Sequence, residues 1–150
     1  MAIRKILTEN DPTLRKKSKP VTEFDASLAE LLEDMAETMY KADGAGISAV
    51  QVGVLKNVFV TDTGSGKTEF VNPAIVKQSG VNKIKKEGCL SVPGKWGMVE
   101  RPEKVWVTYQ DRYGNQCADK LHGYAAKAFC HEYDHLQGVL YTDIAYEMHE

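Results

Sequence analysis

Gly123-Tyr124-Ala125-Ala126-Lys127-Ala128-Phe129-Cys130-His131-Glu132-Tyr133-Asp134-His135-Leu136-Gln137-Gly138 is the stretch on which the reading of this chain turns. It reads as a helix that starts near Gly123 and ends at Gly138. On a helix, residues four apart lie one turn above each other on one face. His131 and His135 therefore share a face and can reach a single metal ion. Glu132 stands beside the first histidine, where it can take a proton from a water activated by that ion and pass it to a leaving group. The plainer reading is a helix that carries two surface histidines by chance.

A catalytic metal needs a third protein ligand and an open fourth position. One class of zinc protease extends this helix as HExxHxxGxxH; here Gly138 fits, but the last position is Tyr141. Another class takes a glutamate from a following helix. Only fifteen residues follow His135, ending in Glu147, His149 and Glu150, too few to build such a helix and pack it back. The third ligand is therefore sought upstream, where Glu87-Gly88-Cys89-Leu90-Ser91 offers a thiolate. Taken alone, Cys89 reads more readily as a buried structural cysteine.

Working outward, 25–42 is the clearest helix: Asp25 can cap it, Leu28, Leu31, Leu32, Met35 and Met39 fall on one face, and Asp43-Gly44 stops it. Gly44-Ala45-Gly46-Ile47-Ser48-Ala49-Val50-Gln51 follows. Its glycines and small side chains let a ligand or another backbone come close, and Gln51 can donate an amide N–H to a developing oxyanion. A helix stop followed by a buried strand explains most of it as well. Segments 57–63 and 69–76 read as strands joined by a hairpin at Gly64-Ser65-Gly66. A further strand covers 105–109, with its turn at Tyr113-Gly114-Asn115. The first twenty residues read as a surface arm with one short helical turn. This order predicts an α+β fold, with antiparallel or mixed β-sheets packed around a central metal-binding α-helix.

The chain has 150 residues, 43% apolar and 27% charged, which suits one compact domain over 1–150. A net charge of −2 gives no electrostatic reason to bind nucleic acid or an acidic membrane. Three cysteines, Cys89, Cys117 and Cys130, without a secretory signal argue for reduced thiols and a cytoplasmic setting. Gly66-Lys67-Thr68 mimics the end of a phosphate-binding loop, but position 61 is threonine and a strand-like Phe70-Val71-Asn72-Pro73 follows.

Together the three segments Gly-x-Gly-x-x-Ala-x-Gln, Glu-Gly-Cys-Leu-Ser and His-Glu-x-x-His resemble, in that order, the peptide deformylases. The opening Ile3-Arg4-Lys5-Ile6-Leu7 with Asp11-Pro12 and Leu14-Arg15, and the stretch from Arg101-Pro102 to Gly114, are similar too, so the likeness covers nearly the whole chain. It implies that Cys89, His131 and His135 ligate Fe²⁺, with Zn²⁺, Ni²⁺ or Co²⁺ able to substitute. It implies that Glu132 is general base and then acid, that Gln51 and the Leu90 N–H hold the oxyanion, and that Gly46 lines the substrate groove. The implied reaction removes the formyl group from the N-terminal formyl-methionine of new polypeptides and releases formate. The enzyme is expected to be a bacterial-type, cytoplasmic monomer that meets nascent chains near the ribosome, without direct contact to nucleic acid or membrane. Ser48 departs from the family's usual alanine, and Cys130 from its frequent glutamine; Cys130 points away from the histidine face. Some relatives also carry a longer C-terminal helix.

Counting back from His131 by three and by seven gives Ala128 and Tyr124 on the same face. With Ala45 and Gly46 they are expected to bound a narrow apolar pocket for a methionine side chain. Glu87 and Arg101 can pair to orient the Cys89 loop; the alternative is a plain surface pair. Two rival classes remain: a metalloprotease, separable by casein against a formyl-Met peptide, and a non-catalytic metal-binding protein, which needs a fourth ligand that no motif around Cys117 provides.

Overall fold

The computed structural model describes residues 2–150. Helix α1 (Ala26–Lys41) opens where Asp25 Oδ1 accepts the Leu28 N–H at 3.0 Å, satisfying one of the donors that a helix start leaves free. Leu28, Leu31, Leu32, Met35 and Met39 are all buried, as their spacing predicts. Asp43 then takes a left-handed conformation (φ 59°) and turns the chain out of the helix.

Strand β1 (Gly46–Ser48) begins a five-stranded sheet with β2 (Val58–Asp62), β3 (Lys67–Ser79), β6 (Lys104–Gln110) and β7 (Gln116–His122), in the order β1-β2-β3-β6-β7. All four pairings are antiparallel. The hairpin at 64–66 joins β2 to β3 as read from the sequence. Neighbouring residues of a strand face opposite sides. Val58 and Val60 pack with the α1 face, while Phe59 packs with Phe70 and Phe129 on the other side. Both faces of β2 are therefore covered, which explains its unbroken apolar run.

Helix α2 (Gly123–Leu136) is the metal-binding helix of the sequence reading, and it packs against β1, β2, β6 and β7. A second sheet, whose strands no local pattern marks, contains β4 (Lys86–Cys89), β5 (Val92–Met98) and β8 (Glu147–His149) in the order β4-β5-β8, again antiparallel. The antiparallel alternative is the one realised between named strands; one isolated parallel bridge joins Lys19 and Lys56.

The N-terminal segment does contain one short turn, a 3₁₀ helix at Pro12–Arg15. It is more than a surface arm. Leu14 is fully buried with Val50 and Leu140, because an apolar side chain in a polar stretch finds its only dry place against the body of the protein. Upstream of it, the Leu7 N–H donates to the Gln51 carbonyl at 2.7 Å and the Glu9 N–H to that of Ser91 at 2.8 Å. The arm thus braces two of the segments that carry candidate site residues.

Candidate metal centre

The fold brings three distant segments together. His131 and His135 lie on one face of α2, their ring centroids 5.0 Å apart. Cys89 ends β4, and its sulfur lies 3.3 Å from His135 Nε2. One donor atom from each of Cys89, His131 and His135 lies within 4.8 Å of the other two. One thiolate and two imidazoles suit a borderline divalent ion and leave a fourth tetrahedral position free. The residues present therefore fit a catalytic metal.

The orientation of His131 is set from behind. Its Nδ1–H donates to Glu87 Oε1, which leaves Nε2 for the cluster. Glu87 also accepts from Arg101 through two bonds, at 2.7 Å and 3.2 Å, and from Lys127 Nζ at 2.8 Å. Arg101 reaches Asp134 as well, at 2.6 Å. The expected pair of Glu87 and Arg101 thus exists, but it is buried, not a surface pair, and it belongs to a larger network with Lys127, Asp134 and His131. Burial alone would raise the Glu87 carboxyl. The His131 and Arg101 hydrogen bonds outweigh that and hold it well below the ordinary carboxylate range.

The two histidines are pulled apart electrostatically. Burial, with His131 and Arg101 adding to it, pushes His135 well below its ordinary value and keeps it neutral. Burial also disfavours charge on His131, but its hydrogen bonds with Cys89 and Glu87 more than reverse this.

Glu132 is buried at 4% exposure. Burial raises its carboxyl above the ordinary value, partly offset by His131 and by the Ser48 hydrogen bond. A raised carboxyl suits a group that must both take and return a proton near neutral pH. Its Oε2 lies 3.9 Å from His131 Nε2, and its Oε1 accepts from Ser48 Oγ at 2.8 Å. Gln51 sits in a short 3₁₀ helix (Ala49–Val52) that follows β1. Its Oε1 accepts the Ser48 N–H at 2.9 Å. Its Nε2 donates to Ser91 Oγ at 3.0 Å and points to Cys89 Sγ at 3.7 Å. Leu90 forms the turn between Cys89 and β5.

A cleft of about 320 Å³ opens beside these groups. Gly46, Gln51, Leu90, Tyr124, Ala128 and Glu132 are among its walls, and Ala45 lines it too. Ala128 is buried beside the histidines, whereas Tyr124 is 45% exposed. Gly46 is required on steric grounds: a Cβ there would stand 2.7 Å from Glu132 Oε2. Every candidate site residue read from the sequence thus lies in the cleft, in the donor cluster or in the network behind it. Ser48, Lys127 and Asp134 also belong to this arrangement, though none stands in a metal-ligand motif. Lys127 carried a signal, since it lies four residues before His131 between Ala126 and Ala128. A lysine on the apolar face of a helix requires a carboxylate partner. Cys130 packs among Phe59, Phe129 and Leu136, away from the cluster. Burial pushes its thiol up to about 12, which keeps it inert.

A metal-ligating cluster with a buried glutamate in an open cleft defines a metal-dependent hydrolase. A model of the polypeptide deformylase family matches residues 3–150. The peptide deformylase of Caldicellulosiruptor bescii is 54% identical over 143 residues, covering 95% of this chain and 86% of that protein. That of Caldanaerobacter subterraneus is 52% identical over 143 residues, covering 95% and 89%. The crystal structure of peptide deformylase from Thermotoga maritima superposes with a TM-score of 0.93 at 43% identity, covering 95% of this chain and 97% of that one. The chain belongs to the polypeptide deformylase family. It is an enzyme of that kind, a metal-dependent hydrolase that removes an N-terminal formyl group.

Proposed function

We propose that residues 1–150 act as one catalytic domain that deformylates the formyl-methionyl end of newly made polypeptides, with Fe²⁺ held by Cys89, His131 and His135. The single observation that carries the site assignment is the convergence of one cysteine sulfur and two imidazoles within 4.8 Å, beside buried Glu132. A divalent ion held there would supply Lewis acidity and make a water a better nucleophile near neutral pH. Zn²⁺, Ni²⁺ or Co²⁺ can take the place of Fe²⁺ on the same donors.

The remaining work falls to the chain. The substrate backbone lies along Gly46 of β1 and Ala45 just before it, since β1 stands at the edge of the five-stranded sheet among the described residues. Glu132 accepts the proton of the attacking water. Water oxygen bonds to the formyl carbon, and the Gln51 amide and the Leu90 N–H donate to the oxygen that gains charge. As the carbon–nitrogen bond breaks, Glu132 returns its proton to the departing amine, so that formate and a free N-terminus remain. Support for Gln51 comes from its two fixed amide ends, Oε1 on Ser48 and Nε2 turned toward Cys89.

No helix among the described residues is long and apolar enough to cross a membrane. We place the enzyme in the cytoplasm as a monomer, meeting nascent chains near the ribosome without direct contact to nucleic acid or membrane. The test is formate release from a formyl-Met peptide by anaerobically purified protein, with metal analysis. About one iron per chain is expected, and air should inactivate that form while sparing a Zn²⁺ or Ni²⁺ form, since Zn²⁺ has no redox chemistry. Cys89→Ala, His131→Ala and His135→Ala should each lose metal and turnover. Full metal occupancy and activity in Cys89→Ala would refute the ligand set.

A further inference from the structure

Ser48 is 0% exposed at the end of β1, eighty-four residues from the glutamate that its side chain touches. Its hydroxyl has one proton and two acceptors in reach, Glu132 Oε1 at 2.8 Å and the Glu132 main-chain oxygen at 3.0 Å. A carboxylate is the stronger acceptor, so the proton belongs on Oε1 whenever Glu132 is ionised. Among the described residues the Glu132 carboxylate has no other hydrogen bond; its next polar neighbour is His131 Nε2, 3.9 Å from Oε2. Oε2 lies on the opposite side, next to Gly46 at the cleft wall. The main-chain N–H of the same serine holds Gln51 Oε1 at 2.9 Å.

We infer that Ser48 is a positioning residue for the reaction: its hydroxyl anchors Glu132 Oε1, so that Oε2 alone faces the cleft and carries the proton. The inference rests on the reading of Glu132 as base and acid given above. Ser48 cannot follow a moving side chain, because its own backbone is fixed by β1 and by Gln51. It therefore fixes the torsion of the glutamate instead of adapting to it. Without the hydroxyl, Oε1 is left with no donor in a buried space, and the carboxylate turns to find one. A misplacement on the order of 1 Å is enough to cost up to about a hundredfold in rate.

The experiment compares wild type, Ser48→Ala, Glu132→Gln and the double variant, all metal-loaded, for kcat, KM, metal content and thermal midpoint. Ser48→Ala removes one buried oxygen and should fold normally. Its kcat should fall about tenfold or more, with KM within about twofold and metal content unchanged. In the Glu132→Gln background the same change should have no further effect on kcat, because a residue that acts through Glu132 has nothing left to act on. A crystal structure of Ser48→Ala should show the carboxylate in a second orientation. Three results overturn the inference: a kcat within twofold of wild type, a loss confined to the thermal midpoint, or an undiminished loss in the Glu132→Gln background. If Glu132→Gln itself turns over near the wild-type rate, the role of Glu132 fails first, and that outcome is distinct from failure at Ser48.

Discussion

The ammonium of Lys127 donates to Glu87 Oε2 at 2.8 Å, with both side chains only 4% exposed. Across the same carboxylate, Arg101 and His131 take up the remaining acceptor positions. Removing Glu87 would strip buried Lys127 of its counter-charge and leave Arg101 with Asp134 alone, a defect that costs about 3–5 kcal/mol. It would also free the His131 ring, and loss of such an orienting partner weakens metal binding by about 10–100-fold. Glu87→Ala is therefore expected to lower both the thermal midpoint and the metal affinity. Thermal unfolding and competitive metal titration check the two arms. Wild-type metal affinity in a folded Glu87→Ala protein would show that the network does not orient the ligand.

Gly46 meets the site at its narrowest point. A Cβ there would lie 2.7 Å from Glu132 Oε2 and 2.9 Å from its Cγ. The β1 strand is pinned to β2 on its other side, so the strain must be relieved by Glu132. Gly46→Ala is expected to keep the metal and the fold while kcat/KM falls by about 10²-fold, through displacement of the Glu132 carboxylate and narrowing of the strand edge. A steady-state assay with metal analysis decides it. Activity within twofold of wild type would mean that the carboxylate has room to move without consequence.

Far from the cleft, Arg112 binds Glu69 through two bonds at 3.0 Å and 2.7 Å and reaches Glu33 of α1 at 3.1 Å. Burial would raise the Glu69 carboxyl, but the Arg112 hydrogen bonds and charge hold it below the ordinary range. A carboxyl whose folded-state pKa is depressed contributes stability above its unfolded pKa and loses it as pH falls through the folded value. Arg112→Met should therefore cost stability at pH 7, on the order of 1 kcal/mol after solvent screening. The gap to wild type should narrow as pH falls below about 4.5. Thermal midpoints from pH 7 to pH 3 test this, and a gap that stays constant or widens would contradict it.

The parts of the molecule that sequence reading reached are those set by neighbours in the chain. Two histidines four apart, a capping aspartate at position 25 and a Gly-Ser-Gly hairpin are all short-range signals, and each appears where expected. Cys89 was reachable because its flanking residues form a motif. The sheet that carries it was not. β5 contains Pro93, Gly94 and Gly97, which break the alternation that marks a strand, and β8 is a three-residue strand that forms only by pairing with β5. The contacts of Ser48 with Glu132 and of Lys127 with Glu87 span 84 and 40 residues. Such contacts depend on tertiary packing, which no local pattern encodes.

Ala128 bears on which side chain the cleft accepts. It lies three residues before His131 on the same helical face and is buried at the cleft wall, with Tyr124 one further turn away. A larger residue at 128 would project into the space beside the metal ligands. Leu90 and Lys127, whose ammonium is turned to Glu87, line the cleft together with Ala128. An unbranched, flexible methionine side chain fills such a space well. Burying it is worth roughly 1.5–3 kcal/mol. That energy corresponds to about a ten- to hundredfold preference in kcat/KM for formyl-Met over formyl-Gly peptides. A formyl-Asp peptide should fare worse than either, because taking an ionised carboxylate out of water costs far more than burying an apolar side chain. Ala128→Phe should fill the pocket, flatten the Met-to-Gly ratio toward one and leave metal content intact. The measurement is kcat/KM for the three peptides with both proteins. Equal use of formyl-Met and formyl-Gly by the wild type, or an unchanged ratio in Ala128→Phe, would place the methionine pocket elsewhere in the cleft.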